Sequence, residues 1–297
     1  MNQNPRPPAA RPAPARLLAR VLAASALPVA AAIVLAAAPM PAPAATAHAA
    51  PRFALADAPT AGGSSAPAPV PAYVMPADTP AFIRAAIEDP DRPAAQRARD
   101  VNRKPAELLM LSGIKPGERI VEFASFGQYF TAFLSDIAGA HGRVFMYDLP
   151  YTDKFAGAAS RAFVAQHLNC EYHQVDYNTL QLPPRIDVVF MVLYYHDLFL
   201  NKIDTASLDA RIFKALKPGG IFFVVDHNAR PGSGIRDIHL HRIDPDVIQR
   251  EVTAAGFQLV TRSKLLAHPQ DDHTQIVFAP GLRGLTDQTV FKFRKPE

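Results

Sequence analysis

The sequence contains a single cysteine, Cys170, among its 297 residues. One thiol can form no intrachain disulfide and cannot build a metal site from several cysteine ligands. Acidic residues are absent from the first 50 positions, where the chain has four arginines, and the remainder holds 27 basic and 27 acidic side chains. The net charge of +4 therefore belongs to the amino-terminal segment. Because nucleic-acid surfaces need clustered excess cations, the rest of the chain gives no support for a nucleic-acid partner.

Residues 1–49 have the organisation of a secretory signal peptide, with a basic segment, an apolar run over Val21–Ala38 and small residues at 45–49. No Arg-Arg pair precedes the run and no cysteine lies near the cleavage region, so neither a twin-arginine signal nor a lipoprotein anchor is indicated. An uncleaved membrane anchor is the alternative, although the run contains Pro28 and is shorter than the roughly 20 residues of a membrane span. We predict export to a bacterial periplasm, with membrane contact only if the leader is retained.

Residues 50–78 follow as an Ala/Pro-rich linker that we expect to be disordered, since sixteen of the 29 prolines fall in the first 80 residues. The folded domain is predicted over 79–297. At its start, Thr79 has the position of a helix N-cap and Pro80 that of the first helical residue. The chain therefore divides into a leader, a linker and one domain.

Helical and strand patterns alternate from residue 117 onward. We predict short helices at 80–88, 93–101 and 105–111, longer helices at 129–138, 153–167, 204–216 and 245–255, and strands at 119–123, 143–147, 171–175, 187–193, 220–226, 257–262, 274–279 and 289–294. Val188–Leu193 and Ile221–Val225 are continuously apolar, as strands covered on both faces must be. This alternation is typical of an α/β domain with a parallel sheet. We expect the first five strands to be parallel and the strand at 289–294 to be antiparallel.

The turn from Glu122 to Gln128, with the sequence Glu-Phe-Ala-Ser-Phe-Gly-Gln, joins the first strand of the sheet to the next helix. The strand after that helix ends on Asp148. This order is how a doubly wound sheet binds an adenosine cofactor, because the acid accepts hydrogen bonds from the ribose hydroxyls. Glycines normally line such a turn so that the backbone can approach the ligand closely, and here only Gly127 is present.

Ionisable or aromatic residues follow five of the predicted strands. They are Glu122, Asp148, Asp176, Tyr194-Tyr-His-Asp197 and Asp226-His227. Ligands of open parallel sheets bind beyond the carboxyl ends of the strands, so these residues together predict a ligand cleft. Each one alone has a structural alternative as a helix cap or turn residue.

Several short motifs between residue 79 and the end of the chain resemble those of a known family. They are Val175-Asp176, Leu216-Lys-Pro-Gly-Gly220, Asp100-Val-Asn-Arg-Lys-Pro105, Tyr195-His-Asp197, Val225-Asp-His227, His241-Arg-Ile-Asp-Pro245, Asp271-Asp-His273, Thr286-Asp-Gln288 and Phe293-Arg-Lys-Pro296. With the acids that end the first two strands, they resemble class I S-adenosylmethionine-dependent methyltransferases, and among these an exported bacterial branch of predicted methyltransferases.

The resemblance implies a Rossmann-like sheet of seven strands with a short helical N-terminal cap, and S-adenosylmethionine as the cofactor. It implies that Glu122 and the turn after it, with Ala124 and Gly127, contact the methionine end. It places Asp148 at the ribose and Asp176 near the adenine.

At the three positions where the family has glycines, this chain has Ala124, Phe126 and Gln128. Phe126 and Gln128 add bulk where the methionine should pass. Two alternatives are open: an altered or lost cofactor pocket, or a turn that keeps its path with other side chains while Gly127 supplies the flexible position.

Methyl transfer requires alignment of the reactants, exclusion of water and, for some acceptors, a base. His196 is the best base candidate, and Asp197 could orient it. Tyr194 and Tyr195 could line the acceptor pocket or lie over the sulfonium in a cation–π contact. His227 could instead cap the loop after it.

Two further sets of residues have open roles. A metal site at His239 and His241, near His227 and Asp226, lacks any recognised spacing, and no metal ligand is assigned. Arg99, Asp100 and Arg103 could cover the cleft as a lid or form exposed salt bridges on a helix.

Three functions remain after this reading of the sequence. The resemblance favours methyl transfer from S-adenosylmethionine to a small or medium organic acceptor. The second is a non-catalytic periplasmic binding protein for a small molecule on a degenerate methyltransferase scaffold, which the missing glycines favour. A third, a His/Asp metal hydrolase, needs His196, His227, His239 or His241 to converge.

Overall fold

The computed structural model describes residues 72–297, all of which lie in the compact unit Ser65–Glu297. The predicted signal peptide and most of the predicted linker lie outside the described residues. The hydroxyl of Tyr73 donates to Oε2 of Glu107 at 2.5 Å and accepts from the Ala106 amide at 3.0 Å. The chain is thus attached to the domain six residues before Thr79. Within the described range, no helix is both long and apolar enough to span a membrane.

Nine α-helices and seven strands make up the described part of the chain. The helices are α1 Ala81–Glu88, α2 Ala94–Arg97, α3 Asp100–Arg103, α4 Pro105–Ser112, α5 Tyr129–Ala138, α6 Gly157–Gln166, α7 Tyr195–Leu200, α8 Thr205–Ala215 and α9 Pro245–Ala254. The strands are β1 Arg119–Phe123, β2 Arg143–Asp148, β3 Cys170–Gln174, β4 Ile186–Val192, β5 Leu216–His227, β6 Gln258–Ser263 and β7 Gln288–Arg294.

The strands form one sheet in the order β3-β2-β1-β4-β5-β7-β6. Strands β1 to β5 are parallel, whereas β7 runs antiparallel to both β5 and β6. The predicted α/β fold, the parallel first five strands and the antiparallel terminal strand are therefore confirmed. The switch in strand order lies between β1 and β4, where ligands of open α/β sheets bind.

Two apolar clusters cover the two faces of the sheet. One includes α8 and α9 side chains such as Ile212 and Val252, and the other includes Ile83 of α1 and Phe133 of α5. Helix α1 buries Ile83, Ala86 and Ile87 and contacts α5. The predicted helical N-terminal cap is therefore present, and it covers the helix that follows the turn at 124–128.

The prediction and the structure differ at several elements, among them the helix predicted at 93–101, which is divided into α2 and α3. The strand predicted at 274–279 is wrong: the segment forms turns, and its apolar residues Ile276 and Phe278 are exposed rather than paired in the sheet. The helix predicted at 153–167 is divided into a 3-10 turn at Pro150–Lys154 and α6. Helix α7 was not predicted, because six residues are too few to show a helical period.

Candidate functional site

The carboxyl ends of β1, β2, β4 and β5 meet at one edge of the sheet. Register pairing places Phe123 beside Tyr147 and Met191, and Val192 beside Val225. The side chains that follow these positions are therefore brought to a common edge, as the sequence predicted.

The turn after β1 has a left-handed backbone at three residues. The φ angles are +57° at Ala124, +89° at Gly127 and +49° at Gln128. Two non-glycine residues thus adopt a conformation that costs an L-residue roughly 1–2 kcal/mol, at positions where the family resemblance expects glycine. The amide of Ala124 donates to the Tyr147 carbonyl at 2.9 Å, which fixes the start of the turn against β2.

Aromatic side chains pack directly around this turn. The ring of Phe126 lies edge-on to Phe155 and Tyr194, with centroids 5.9 and 6.0 Å away. Tyr177 is fully buried, and its hydroxyl donates to the Tyr147 carbonyl at 2.5 Å. Two surface cavities of about 500 and 400 Å³ lie elsewhere, one beside α1 and one near the amino ends of β1 and β5. Beyond β1, the ring of Phe126 is thus packed between Phe155 and Tyr194.

Glu122 and Asp148 are both buried at the ends of β1 and β2, with 7% and 0% of their surface exposed. Oε2 of Glu122 and Oδ2 of Asp148 accept no well-formed hydrogen bond, whereas Oδ1 of Asp148 accepts from Ser125 Oγ at 3.2 Å. Burial raises the pKa of Glu122 to about 8 and that of Asp148 to about 6. This edge of the sheet thus holds two buried acids, each with one oxygen that accepts no well-formed hydrogen bond.

Asp176, the predicted adenine contact, lies two residues beyond β3 and is exposed. Its Oδ1 accepts the Asn178 amide at 2.9 Å, which is the hydrogen bond of an Asx-turn. Its carboxylate is exposed to solvent and is not buried like those of Glu122 and Asp148.

Asp226 at the end of β5 holds the first turn of α7. Its Oδ2 accepts the His196 amide at 2.7 Å, and its Oδ1 lies 2.6 Å from Nδ1 of His196. Since Asp226 is 1% exposed and His196 is 2% exposed, this pairing is isolated from solvent. The imidazole is therefore fixed in orientation, with Nε2 directed away from β5.

His241 and Asp197 complete a cluster around Nε2 of His196. Nδ1 of His241 lies 3.2 Å from this nitrogen, Oδ1 of Asp197 lies 3.1 Å from it, and the last two atoms are 2.8 Å apart. Burial opposes protonation of His196, but the carboxylates of Asp226 and Asp197 outweigh it and raise its pKa to about 10. The same contacts hold the pKa of Asp197 well below its usual range despite burial.

His227 and His239 differ in their relation to this cluster. The ring of His227 lies 5.9 Å from that of His196, and its Nδ1 is 2.8 Å from Thr286 Oγ1. Burial, together with the positive charge of His196, lowers the pKa of His227 well below its ordinary value. His239 is exposed, with Nδ1 3.1 Å from the Arg236 carbonyl. Of the histidines considered from the sequence, His196 and His241 converge on Asp197, His227 packs beside His196, and His239 lies apart from them.

Tyr195 lies on the far side of α7 from this cluster. Its hydroxyl donates to Asp209 Oδ2 at 2.7 Å and lies 3.0 Å from Glu251 Oε2, so it links α7 to α8 and α9. The structure does not bring Tyr195 together with His196 and Asp197. Its sequence neighbour Tyr194, which is 1% exposed, is the tyrosine that contacts the turn after β1.

Arginines gather around Tyr129, the first residue of α5. Asp100 accepts two hydrogen bonds from Arg92, at 2.8 and 3.0 Å, and one from the Tyr129 hydroxyl at 2.6 Å. The guanidinium groups of Arg99 and Arg103 lie 5.2 and 4.7 Å from the centre of the Tyr129 ring. Burial and the charge of Arg99 lower the pKa of Arg103 to about 9. The Asp100 segment thus covers the start of α5, and Gln96 Nε2 also reaches the Gly127 carbonyl at 3.1 Å.

The sequence predicted Asp226 as a residue of the ligand cleft and considered His241 for a metal site, but it paired neither of them with His196. Asp226 lies at the carboxyl end of an apolar strand, a signal that could have identified it as the partner of His196. His241 lies in a loop 14 residues beyond β5, and only the tertiary fold brings it to α7.

No family model matches the chain, and the curated proteins contain no match either. Among solved structures, an S-adenosylmethionine-dependent methyltransferase from Aquifex aeolicus is 15% identical with a TM-score of 0.50, and the alignment covers 71% of this chain and 97% of that one. One from Mesorhizobium loti is 20% identical with a TM-score of 0.47, covering 66% and 97%. At such identities the likeness concerns the fold: residues 72–297 have the class I fold of S-adenosylmethionine-dependent methyltransferases.

Proposed function

We propose that the domain binds S-adenosylmethionine at the carboxyl ends of β1 and β2 and transfers its methyl group to a small or medium organic acceptor. The observation that carries this proposal is the buried acid pair Glu122 and Asp148, each with an oxygen that accepts no well-formed hydrogen bond. A buried polar atom without a partner costs about 1–3 kcal/mol. A ligand that brings hydroxyl and ammonium donors would remove this cost at both strands.

The ribose and the methionine end of the cofactor do not fit the residues of this site equally well. Asp148 suits the ribose, because a carboxylate accepts two hydroxyl hydrogen bonds and Oδ2 is available. Glu122 suits a cationic group, whose charge would offset burial and lower the raised pKa of this acid. Phe126 does not suit the methionine end, because its ring packs against Phe155 and Tyr194. Binding therefore requires the Phe126 side chain to move.

When bound, the cofactor would supply an electrophilic methyl group. The residues of this chain would bind and orient it through Glu122 and Asp148, and the buried Tyr194 would exclude water from the same edge of the sheet. Against the effect of burial, the carboxylates of Asp226 and Asp197 raise the pKa of His196 to about 10, which favours the imidazolium over the neutral ring that a general base needs. A role for His196 as general base is therefore not part of this proposal.

The second candidate is a non-catalytic binding protein, which one observation favours. Phe126, Tyr177 and Tyr194 fill the edge of the sheet with aromatic rings, and Tyr177 and Tyr194 are at most 1% exposed. A scaffold that has lost its cofactor pocket could fill it in this way. Both candidate functions are proposed for a protein exported to the periplasm, and this location remains a prediction from the leader sequence.

Asp148→Ala is expected to weaken S-adenosylmethionine binding by roughly ten- to a hundredfold, the equivalent of about 1.5–3 kcal/mol for lost charge-assisted hydrogen bonds. The double variant Phe126→Gly with Gln128→Gly is expected to strengthen binding, because it removes the ring from the methionine end and relieves the positive φ at 128. Isothermal titration calorimetry of the purified protein measures both effects.

Asp246→Ala is the matched control, since Asp246 is an exposed acid of α9 paired only with surface residues. It should bind the cofactor as the native protein does. If neither the native protein nor the glycine-restored variant binds at millimolar cofactor, the methyltransferase proposal fails and the binding-protein function takes its place.

A further inference from the structure

Three polar side-chain atoms meet between α7 and the loop after β5. Nε2 of His196, Nδ1 of His241 and Oδ1 of Asp197 form a triangle with sides of 3.2, 3.1 and 2.8 Å. All three residues are buried, with 2%, 8% and 6% of their surface exposed. Oδ1 of Asp197 accepts no well-aligned hydrogen bond, although both ring nitrogens are close.

These distances match those between the ligands of one metal ion. With metal–ligand bonds of roughly 2.0–2.1 Å, a tetrahedral arrangement separates ligand atoms by roughly 3.3 Å and an octahedral one by roughly 2.9 Å. The three observed sides lie near this range. The atoms are thus close enough to share one ion without movement of the backbone.

Asp226 gives His196 the support that a metal-bound histidine usually has. A histidine ligand commonly donates its second N–H to a carboxylate, which fixes the tautomer and aims the other nitrogen at the metal. Here Nδ1 of His196 lies 2.6 Å from Oδ1 of Asp226, so in the neutral ring the lone pair is on Nε2. That lone pair faces Asp197 and His241.

His241 is also held rigidly. Its backbone is left-handed, with φ of +56°, and the next residue, Arg242, is 0% exposed and forms a bidentate ion pair with Asp271. The ring of His241 packs against Phe278, with centroids 4.8 Å apart. Both histidines are therefore positioned by contacts outside the triangle.

We propose that His196, Asp197 and His241 bind one divalent first-row transition-metal ion, with at least one coordination position left for water or a substrate. Two imidazoles and one carboxylate suit Zn²⁺, Fe²⁺ or Co²⁺ better than Ca²⁺ or Mg²⁺, which prefer oxygen ligands. Three protein ligands with an open position are the pattern of catalytic rather than structural sites. The proposal does not depend on cofactor binding, since none of the three ligands is one of the acids Glu122 and Asp148.

Metal-free protein, prepared with a chelator, is titrated with Zn²⁺ by calorimetry and with Co²⁺ by visible absorption, both without S-adenosylmethionine. We expect one ion per chain and d–d bands from bound Co²⁺. His241→Ala and Asp197→Asn are each expected to lower Zn²⁺ affinity by at least about 100-fold, and Asp226→Asn by about 10- to 100-fold through loss of support for His196.

His239→Ala is the matched control, because His239 lies two residues from His241 but is exposed, and its Nδ1 lies near the Arg236 carbonyl rather than near the triangle. It should bind Zn²⁺ as the native protein does. Circular dichroism of each metal-free variant shows whether it is folded, and Asp197→Asn keeps the shape of the side chain if His241→Ala does not fold. The proposal is overturned if the native protein binds neither ion at micromolar concentration, or if folded Asp197→Asn binds Zn²⁺ as tightly as the native protein.

Discussion

Asp271→Ala is expected to lower the free energy of unfolding by about 3–5 kcal/mol, because it leaves the buried guanidinium of Arg242 without its partner. The side chains of this pair are 0% and 1% exposed, and two hydrogen bonds of 2.8 and 2.9 Å join them. Asp271 also accepts the Asp287 amide at 2.7 Å. Denaturant titration followed by fluorescence or circular dichroism measures the change, which corresponds to a fall in Tm of roughly 6–20 °C.

The adjacent acid supplies the control for this prediction. Asp272 is exposed, and its Oδ1 accepts from the amide and hydroxyl of Thr274. Asp272→Ala should therefore cost at most about 1 kcal/mol. Equal losses in the two variants would show that Arg242 is hydrated or paired elsewhere, and that the turn at 271–274 rather than the buried ion pair determines stability.

Glu122→Gln is expected to stabilise the ligand-free protein at pH 8–9 by about 1–3 kcal/mol and to have little effect at pH 5. Burial, with a smaller contribution from Asp148, raises the pKa of Glu122 to about 8, so the folded state favours the neutral acid. An acid with a raised pKa contributes stability that is complete below its unfolded pKa, near 4.5, and is lost as pH rises through about 8. Glutamine keeps the shape of the side chain without a charge to bury.

The measurement is the difference in unfolding free energy between the variant and the native protein at each pH. Burial also raises the pKa of Asp209 to about 8, but this acid titrates in both proteins and cancels in the difference. Glu88→Gln, at an exposed position of α1, should show no such pH dependence between pH 5 and 9. A variant that is less stable than the native protein at pH 8 would mean that Glu122 is ionised and paired in the folded state.

Much of the fold could be predicted because several strands have a sequence pattern that is recognisable without knowledge of distant residues. Val188–Leu193 and Ile221–Val225 are apolar without interruption, and both prove to lie in the centre of the sheet as neighbours. Prolines mark the starts of three short helices of the amino-terminal cap: Pro105 is the first residue of α4, and Pro93 is the N-cap of α2. Helix α1 begins one residue later than predicted, because Pro80 rather than Thr79 is its N-cap. Local signals of this kind depend on neighbouring residues alone.

The candidate site could be predicted only for residues that lie at the carboxyl end of a strand. Glu122 is next to last in β1 and Asp148 is last in β2, so the parallel pairing of these two strands places the acids at one edge of the sheet. His241 lies in a loop whose path is fixed by the ion pair of Arg242 and Asp271. These two residues are 29 positions apart, and no spacing in the sequence predicts a contact over that distance. Tyr195 was predicted at the site because it is next to His196 in sequence. Neighbouring residues of a helix point in different directions, and the Tyr195 hydroxyl reaches α8 and α9 instead.

The position of β7 has a consequence for the order in which the chain can fold. Strand β7 follows β6 in sequence yet lies between β5 and β6, and β6 is attached to the sheet through β7 alone. During synthesis, the sheet pairing of β6 seen here therefore forms only after residues 288–294 have been made. Until then β5 also presents an open backbone edge, which is the kind of surface that chaperones protect and that mispairs when it is left exposed. The sheet is thus complete only after β7 has been added between β5 and β6.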